Sequence, residues 1–378
     1  MRPACEVADI LRRNIGHLEK QTTNSWQWRT LNALAACRTQ QLGGHIDKCT
    51  HPGCGQVHLS YNSCRNRHCP KCQGNKREEW IRARESELLS VPYYHVVFTL
   101  PRELNRLCLY RPKRMYSLLF KTAWSVMQGF AANPTFLGAK SGMVAILHTW
   151  GQNLSLHPHL HCIVPGGGIS PSGKWKAAKG KNKYLFPVKA MSKVFRARYT
   201  EGLRKHGIDD PMLFKALFSK PWVVYCKQPF FGPSQVVEYL GRYTHKIAMG
   251  NHRIRNIENG SVTFMAKDYR YGGKTHPVTL TDQEFIRRFC LHILPKGFTR
   301  IRHYGMLSSA LKNKIVPVLQ KQLGKPRLPV KPPLIKRLCP TCKKGQLITL
   351  FTFHGRAPPA FMLERLAKST VLSRQVTL

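Results

Sequence analysis

The sequence predicts an α+β protein. It reads as an antiparallel sheet flanked by helices, preceded by a helical, cysteine-rich knuckle module and followed by a basic extension. Three observations predict this. Two apolar, β-prone runs, Met143–Trp150 and His159–Pro165, are joined by a short polar loop, as in an antiparallel hairpin. Segments of helical spacing surround them. Five of the 13 cysteines fall between Cys49 and Cys72.

In chain order, Val7, Ile10, Leu11, Ile15 and Leu18 form one helical stripe, and Leu31, Leu34 and Ala35 suggest a second helix. Residues 43–75 are rich in Cys, His and Gly and read as a small metal-held knuckle, with 76–89 as a helix leading out of it. Tyr93–Leu100 (YYHVVFTL) is β-branched and aromatic and is stopped by Pro101, so it reads as a strand. Residues 102–131 are helical, broken at Pro112. The hairpin follows and ends at Gly166–Gly168. Lys174–Lys183 is a basic loop, 189–206 a helix, Trp222–Lys227 a strand and Pro233–Ala248 a helix. Residues 252–280 read as short strands with turns at Asn259-Gly260 and Gly272-Gly273. A helix over Thr281–Leu294 is capped by Thr281 or Asp282, with Glu284 in its first turn. A basic, Pro-rich linker (325–337) and a tail with one CxxC close the chain. The expected modules are 1–44 (helical), 45–90 (knuckle), 91–270 (central domain), 271–324 (helical subdomain) and 325–378 (linker and tail).

The bulk numbers narrow the function. The 378 residues suffice for two or three modules, and 42% apolar content excludes a disordered chain. Lys and Arg number 61 against 18 Asp and Glu, a net charge of +43. Repulsion of that size calls for a polyanion, and DNA is the expected partner. No basic amphipathic helix, apolar leader or run of about 18 apolar residues points to a membrane. The expected location is a reducing cytoplasm, at DNA. Only six Asp and twelve Glu are present, which weakens any catalytic cage built from carboxylates. Histidine, with 17 copies, is plentiful.

Cys49-Thr-His-Pro-Gly-Cys54 is followed by Cys64-Arg-Asn-Arg-His-Cys69-Pro-Lys-Cys72. Thiolate pairs at two- to four-residue spacing bend around one tetrahedral zinc. The expected set is Cys49, Cys54, Cys69 and Cys72, with Cys64, His58 and His68 as substitutes. Arg65, Arg67 and Lys71 interleave with the ligands and are candidate phosphate contacts. Cys339-Pro-Thr-Cys342 is a second half-site without an obvious partner pair; His354, His303 and Cys290 are candidates to complete it.

The run from His148 to His161 (HTWGQNLSLHPHLH) is the central feature. His159 and His161, two apart on a strand, share a face, and His148 lies on the preceding strand roughly opposite. Three neutral imidazoles there suit one divalent ion with positions left open for substrate. His157 reads as a contact to DNA or a support for the ligands. Downstream, Tyr239 and Tyr243 sit four apart on the expected helix, one turn apart on one face. Alone, such a pair reads as core; beside the histidines it reads as a pair of nucleophiles, with Arg242, His245 and Lys246 near enough in sequence to meet the charge. Arg242 and Lys246 are also candidate DNA contacts.

Together these motifs resemble the HUH endonuclease superfamily, named for its His-hydrophobic-His pair. More narrowly, the chain resembles the two-tyrosine, rolling-circle transposases of bacterial insertion sequences, the IS91 family. The resemblance runs through NSCRNRHCPKCQ (62–73), HVVFTLP (95–101), HTWGQNLSLHPHLHCIVPGGG (148–168), YLGRYTHKIA (239–248) and LPKGFTRIRHYG (294–305). It implies an HUH-type antiparallel sheet, an N-terminal zinc-binding module, a catalytic Mg²⁺ or Mn²⁺ and a 5′-phosphotyrosine intermediate on single-stranded element ends. It makes His159 and His161 the paired metal ligands and Tyr239 and Tyr243 the nucleophiles. His148 as third ligand follows relaxase-like geometry, with Gln152 and Glu238 as rivals. The first cysteine pair departs from the family, with four intervening residues where two are common. A replication initiator or relaxase, and a zinc-dependent DNA-binding protein without catalysis, are the alternatives. Self-association is compatible with each.

Overall fold

A computed structural model describes residues 4–73, 81, 84–179, 185–230, 235–236, 241, 246–268, 272–325 and 337–354. The fold is mixed α+β, with antiparallel sheets flanked by helices. Helices α1 (Val7–Arg13) and α2 (Ser25–Ala35) open the chain, and the Asn24 side chain caps α2 by accepting from the Gln27 amide at 3.0 Å. Strands β1 (Gly44–Cys49) and β2 (Val57–Tyr61) form a hairpin within the segment expected as a metal-held knuckle. Strand β3 (Tyr93–Thr99) follows. The break at Pro112 separates α3 (Asn105–Tyr110) from α4 (Pro112–Ala132), with the proline at the first helical position. Next come β4 (Gly142–Trp150), β5 (Leu156–Pro165), β6 (Gly167–Ile169), β7 (Trp175–Ala177), α5 (Val188–Lys205), α6 (Pro211–Phe218) and β8 (Val224–Phe230). A meander, β9 (Ile254–Glu258), β10 (Ser261–Asp268) and β11 (Lys274–Thr281), turns at both expected dipeptides. Asn259, Gly260, Gly272 and Gly273 all have positive φ. Helix α7 (Asp282–Cys290) is capped by Thr281. Strand β12 (Ile301–Gly305), α8 (Lys312–Leu323) and β13 (Leu347–Phe353) complete the described chain. The helices expected over 76–89 and 233–248 fall largely outside the described residues.

The central sheet has the order β12-β4-β5-β3-β8, antiparallel throughout. Period-two alternation gives it two unlike faces. Val96, Phe98, Ala145, Leu147, Leu160, Cys162 and Val164 face α4 and α5 and pack with Met115, Leu119, Phe120, Phe195 and Tyr199 in the main core. The opposite face carries Tyr93, Val144, Ile146 and Ile163, covered by a second apolar cluster that includes Leu89, Met306, Val316 and Leu319. Farther along the same strands, this face changes from apolar to imidazole.

The N-terminal helices pack elsewhere. Val7, Ile10, Leu11, Leu31 and Leu34 join Phe264 of β10, Phe285 and Phe289 of α7, and Trp150 and Leu154 of the β4–β5 turn. Arg13 locks the contact through two bonds to the buried Asp282, at 2.7 and 2.5 Å. Strands β1 and β2 form a separate sheet with the C-terminal β13, in the order β13-β1-β2. Among the described residues, no helix is long and apolar enough to cross a membrane.

Candidate active site and metal centres

The register of the central sheet assembles the histidines. His148 on β4 pairs directly with His159 on β5, and His161 pairs with Ile146 on one side and Val97 of β3 on the other. His148, His159 and His161 each bring one ring nitrogen into a group no more than 4.8 Å across. The Nε2 atoms of His159 and His161 lie 3.1 Å apart. Two nitrogens bonded at about 2.1 Å to one ion, at right angles, lie about 3.0 Å apart, so the pair has the spacing of two neighbouring ligands. Trp150 stacks on His148 at 4.5 Å and fixes its ring.

Two hydrogen bonds orient the pair. His159 Nδ1 lies 2.6 Å from the carbonyl of His157, so it carries the proton and leaves the Nε2 lone pair toward its neighbours. His161 Nδ1 lies 2.9 Å from Nε2 of His95 on β3, whose ring stacks on it at 5.1 Å. His157 thus acts through its backbone. His95 is a positioning residue that the sequence reading passed over; its signal was a histidine alternating with Val96 and Phe98 in a strand buried on both faces.

The surroundings favour the neutral form of His159 and His161, the form in which an imidazole can bind a metal. Burial pushes His159 down to about 4, opposed by the His157 carbonyl and assisted by Lys246. Burial, then His148, His159, His95 and Lys246, holds His161 well below the usual histidine range. The charge of Lys246 contributes to the lowering at both histidines, and its own pKa is lowered by burial. Arg300 donates to the Lys246 carbonyl at 2.9 Å and anchors that end of the segment. Tyr239, Tyr243, Arg242 and His245, like the rival ligand Glu238, lie outside the described residues. Gln152 lies in the β4–β5 turn, where its carbonyl accepts from Arg253. Among the described residues, the histidine group includes no carboxylate.

The cysteines converge in two groups of four. Cys37, Cys64, Cys69 and Cys72 form the first, with Sγ···Sγ distances of 3.6 Å (Cys37–Cys72 and Cys37–Cys69) and 3.7 Å (Cys64–Cys72). Four sulfurs bonded at about 2.3 Å to one tetrahedral zinc lie about 3.8 Å apart, so the set fits zinc. Hydrogen bonds from Cys64 and Cys69 draw Cys37 down to about 7, and bonds from Cys37, Cys64 and Cys69 hold Cys72 far below the ordinary thiol range. The same mutual contacts push Cys64 and Cys69 up, so protons are shared unevenly among four crowded sulfurs, and such a set is one a divalent cation takes.

The expected set of Cys49, Cys54, Cys69 and Cys72 is not brought together. Cys69 and Cys72 take Cys64, named as a substitute, and Cys37 from just beyond α2. Cys49 and Cys54 lie against Cys339 and Cys342. Local spacing identifies half-sites but not their tertiary partners, and Cys37 stands 27 residues from Cys64 with no cysteine beside it in sequence. His68 is buried and belongs to neither group. His58 Nε2 approaches Cys339 Sγ at 3.4 Å. His354, His303 and Cys290, the candidates for completing the second half-site, are also outside both groups.

The basic residues of the knuckle divide. Arg67 donates to the carbonyls of Phe298 (2.5 Å), Pro295 (3.0 Å) and Leu294 (3.5 Å), which ties the first cysteine group to the segment before β12. Lys71 pairs with Glu6. Arg65 is exposed, with φ of 51° in the turn after Cys64.

Comparison with known proteins agrees with this arrangement. Residues 142–314 match a family described as "Putative transposase", and residues 10–100 match the IS91 "Transposase zinc-binding domain". The chain is 40% identical to "Putative transposase y4qJ" of Sinorhizobium fredii, over 95% of this chain and 98% of that protein. It is 26% identical to the "Transposase for insertion sequence element IS801" of Pseudomonas savastanoi pv. phaseolicola, over 81% of this chain and 76% of the relative. No solved structure matches the chain significantly. A cysteine set fitted to structural zinc, a histidine-lined sheet and these relatives identify the chain as a member of the IS91 family of insertion-sequence transposases.

Proposed function

We propose that the protein cleaves and rejoins single-stranded DNA at element ends by HUH-type tyrosine chemistry, in rolling-circle transposition at nucleoid DNA of the bacterial cytoplasm. The observation that carries this reading is the convergence of one ring nitrogen each from His148, His159 and His161 within 4.8 Å on one face of the central sheet. Lys246 closes the segment that contains both tyrosines and stands three residues after Tyr243.

In this reading the three histidines hold Mg²⁺ or Mn²⁺, which supplies Lewis-acid polarisation of the scissile phosphate when bound. The His157 carbonyl and His95 keep the ligating nitrogens deprotonated and aimed. Lys246 meets negative charge on the phosphoryl oxygens. The phenol oxygen of Tyr239 or Tyr243 bonds to phosphorus and loses its proton. The phosphorus–O3′ bond breaks, and the departing oxygen takes up a proton as a 3′-hydroxyl. The 5′-phosphotyrosine ester conserves the bond energy for rejoining, which suits strand transfer better than hydrolysis. The second tyrosine serves a later cleavage or the target strand. Arg65 and Arg242 contribute contacts to the backbone.

The test is incubation with single-stranded element ends and Mn²⁺, followed by denaturing electrophoresis for a protein–DNA adduct. The expected result is an adduct that is abolished in the Tyr239→Phe/Tyr243→Phe double variant. Its persistence there would refute the tyrosine assignment.

A further inference from the structure

We propose that Cys49, Cys54, Cys339 and Cys342 form a second zinc site, a clasp that closes the C-terminal strand onto the N-terminal hairpin. The four Sγ atoms converge from residues almost three hundred positions apart. Cys49 and Cys342 are 3.7 Å apart, and Cys54 and Cys339 are 3.8 Å apart. These are edge lengths of a zinc tetrahedron, which come to about 3.8 Å for bonds of about 2.3 Å. They are far too long for disulfides, whose sulfurs lie about 2.05 Å apart.

The surrounding backbone is built for the purpose. Each half-site is a tight turn that enters the left-handed region directly after its second cysteine, with φ of 55° at Gly55 and 56° at Lys343. In each, an amide points at a sulfur: His51 N at Cys49 Sγ and Gly345 N at Cys342 Sγ, both 3.4 Å. Amides aimed at thiolates offset their charge. The turns also bond to each other, through the Thr50 amide to the Gln346 carbonyl (2.9 Å) and the Gln346 amide to Thr50 Oγ1 (3.1 Å). Gly345 is required by contact, because a Cβ there would lie 2.4 Å from Cys49 Sγ and 2.8 Å from His51 Cβ.

The strands extend the junction. Strand β13 pairs with β1 from Gly44↔Phe353 to Cys49↔Leu347. The buried Asp47 on β1 accepts from Thr349 Oγ1 at 3.0 Å and from Arg337. Two turns and a three-stranded sheet are thus sealed at one end by four sulfurs. Without a cation, four thiols would crowd together there, with His58 Nε2, 3.4 Å from Cys339 Sγ, as a further polar neighbour at that sulfur. With zinc, the thiols would release their protons to solvent and the C-terminal segment would become part of the framework of the N-terminal zinc-binding module.

The experiment is cobalt titration of the full-length apoprotein under reducing conditions, read at the sulfur-to-cobalt charge-transfer band, with zinc content measured on the purified protein. The expected result is two equivalents by that band, each with four-thiolate absorption, and at least two zincs per chain. Saturation at one equivalent overturns the proposal. Cys339→Ser/Cys342→Ser should bind one equivalent, and so should Cys64→Ser/Cys72→Ser. Gly345→Val, which leaves all eight sulfurs in place, should lose at least tenfold in affinity at one site only. Two full-affinity equivalents in the Cys339→Ser/Cys342→Ser variant would also overturn it. Because the readout is metal stoichiometry, failure of the tyrosine mechanism leaves the result unaffected.

Discussion

His95→Phe tests the histidine centre without touching a ligand. The phenyl ring keeps the size and the stacking position of the imidazole, which lies 5.1 Å from His161. It removes the nitrogen that stands 2.9 Å from His161 Nδ1. His161 is only 9% exposed, so water is a poor replacement for that nitrogen. A buried polar group that loses its partner costs about 1–3 kcal/mol, and about 1.4 kcal/mol is tenfold in an equilibrium constant. The apparent affinity for Mn²⁺ should therefore fall by roughly 10- to 100-fold, the range typical of a lost partner behind a ligand. The assay is adduct formation on single-stranded element ends across a Mn²⁺ series, with direct Mn²⁺ binding followed by electron paramagnetic resonance. The half-saturating concentration should rise while the rate at saturation changes much less, and His95→Gln, which restores an acceptor, should recover most of the affinity. A half-saturating concentration equal to that of the parent protein would refute the positioning role.

Two further predictions concern stability. His292 is buried between Thr149 Oγ1 (3.2 Å) and the Leu154 carbonyl (3.0 Å), and burial pushes it down to about 4. An unfolded histidine titrates near about 6.5, so the unfolded chain takes up the proton first; the contribution is whole above that pH and is lost as pH falls toward 4, up to roughly 3 kcal/mol. Urea unfolding of the parent and His292→Gln proteins should show a stability gap at pH 7.5 that narrows by pH 4.5, and a constant gap would contradict this. Gly305 ends β12 with φ of 58°, and a Cβ there would meet the Ser141 carbonyl oxygen at 2.1 Å and Trp124 at 2.6 Å. Gly305→Ala should destabilise by about 2–5 kcal/mol, from left-handed strain plus overpacking. A midpoint unchanged in urea would show that the β12–β4 junction yields more easily than its contacts imply.

What was legible in the sequence was what repeats locally. His159 and His161 declare a shared face because a strand has period two, and the polar loop before them brings His148 opposite. The break at Pro112, the cap at Thr281 and the turns at Asn259-Gly260 and Gly272-Gly273 are likewise set by a residue and its immediate neighbours. What escaped depends on contacts between distant segments. Strand β12, five residues with Arg302 and His303 inside it, has no run of apolar residues to announce it; β4 supplies its pairing partner. Cys37 has no second cysteine near it, and Cys339–Cys342 meets its partners only after the chain has crossed the whole fold. Arg67 read as a phosphate contact because an arginine in a basic run looks solvated, yet three backbone carbonyls before β12 use its donors.

The scarcity of carboxylates and the histidine centre have one electrostatic logic. Carboxylate ligands would cancel much of an ion's double charge, whereas three neutral imidazoles leave it whole and directed at the open positions. In a chain of net charge +43 that is costly unless the remaining ligand is an anion. Lys246 sharpens the point: its charge lies close enough to depress His159 and His161, and it is itself depressed by burial. If the histidines hold a metal as proposed, a lysine whose charge is felt there would oppose metal binding in the free protein and favour it once a phosphate is bound. Metal and DNA should therefore bind cooperatively, with Mn²⁺, the better partner for nitrogen ligands, ahead of Mg²⁺. On the proposed reading the centre would be completed by its substrate, which would confine its full strength to the moment when a strand is in place.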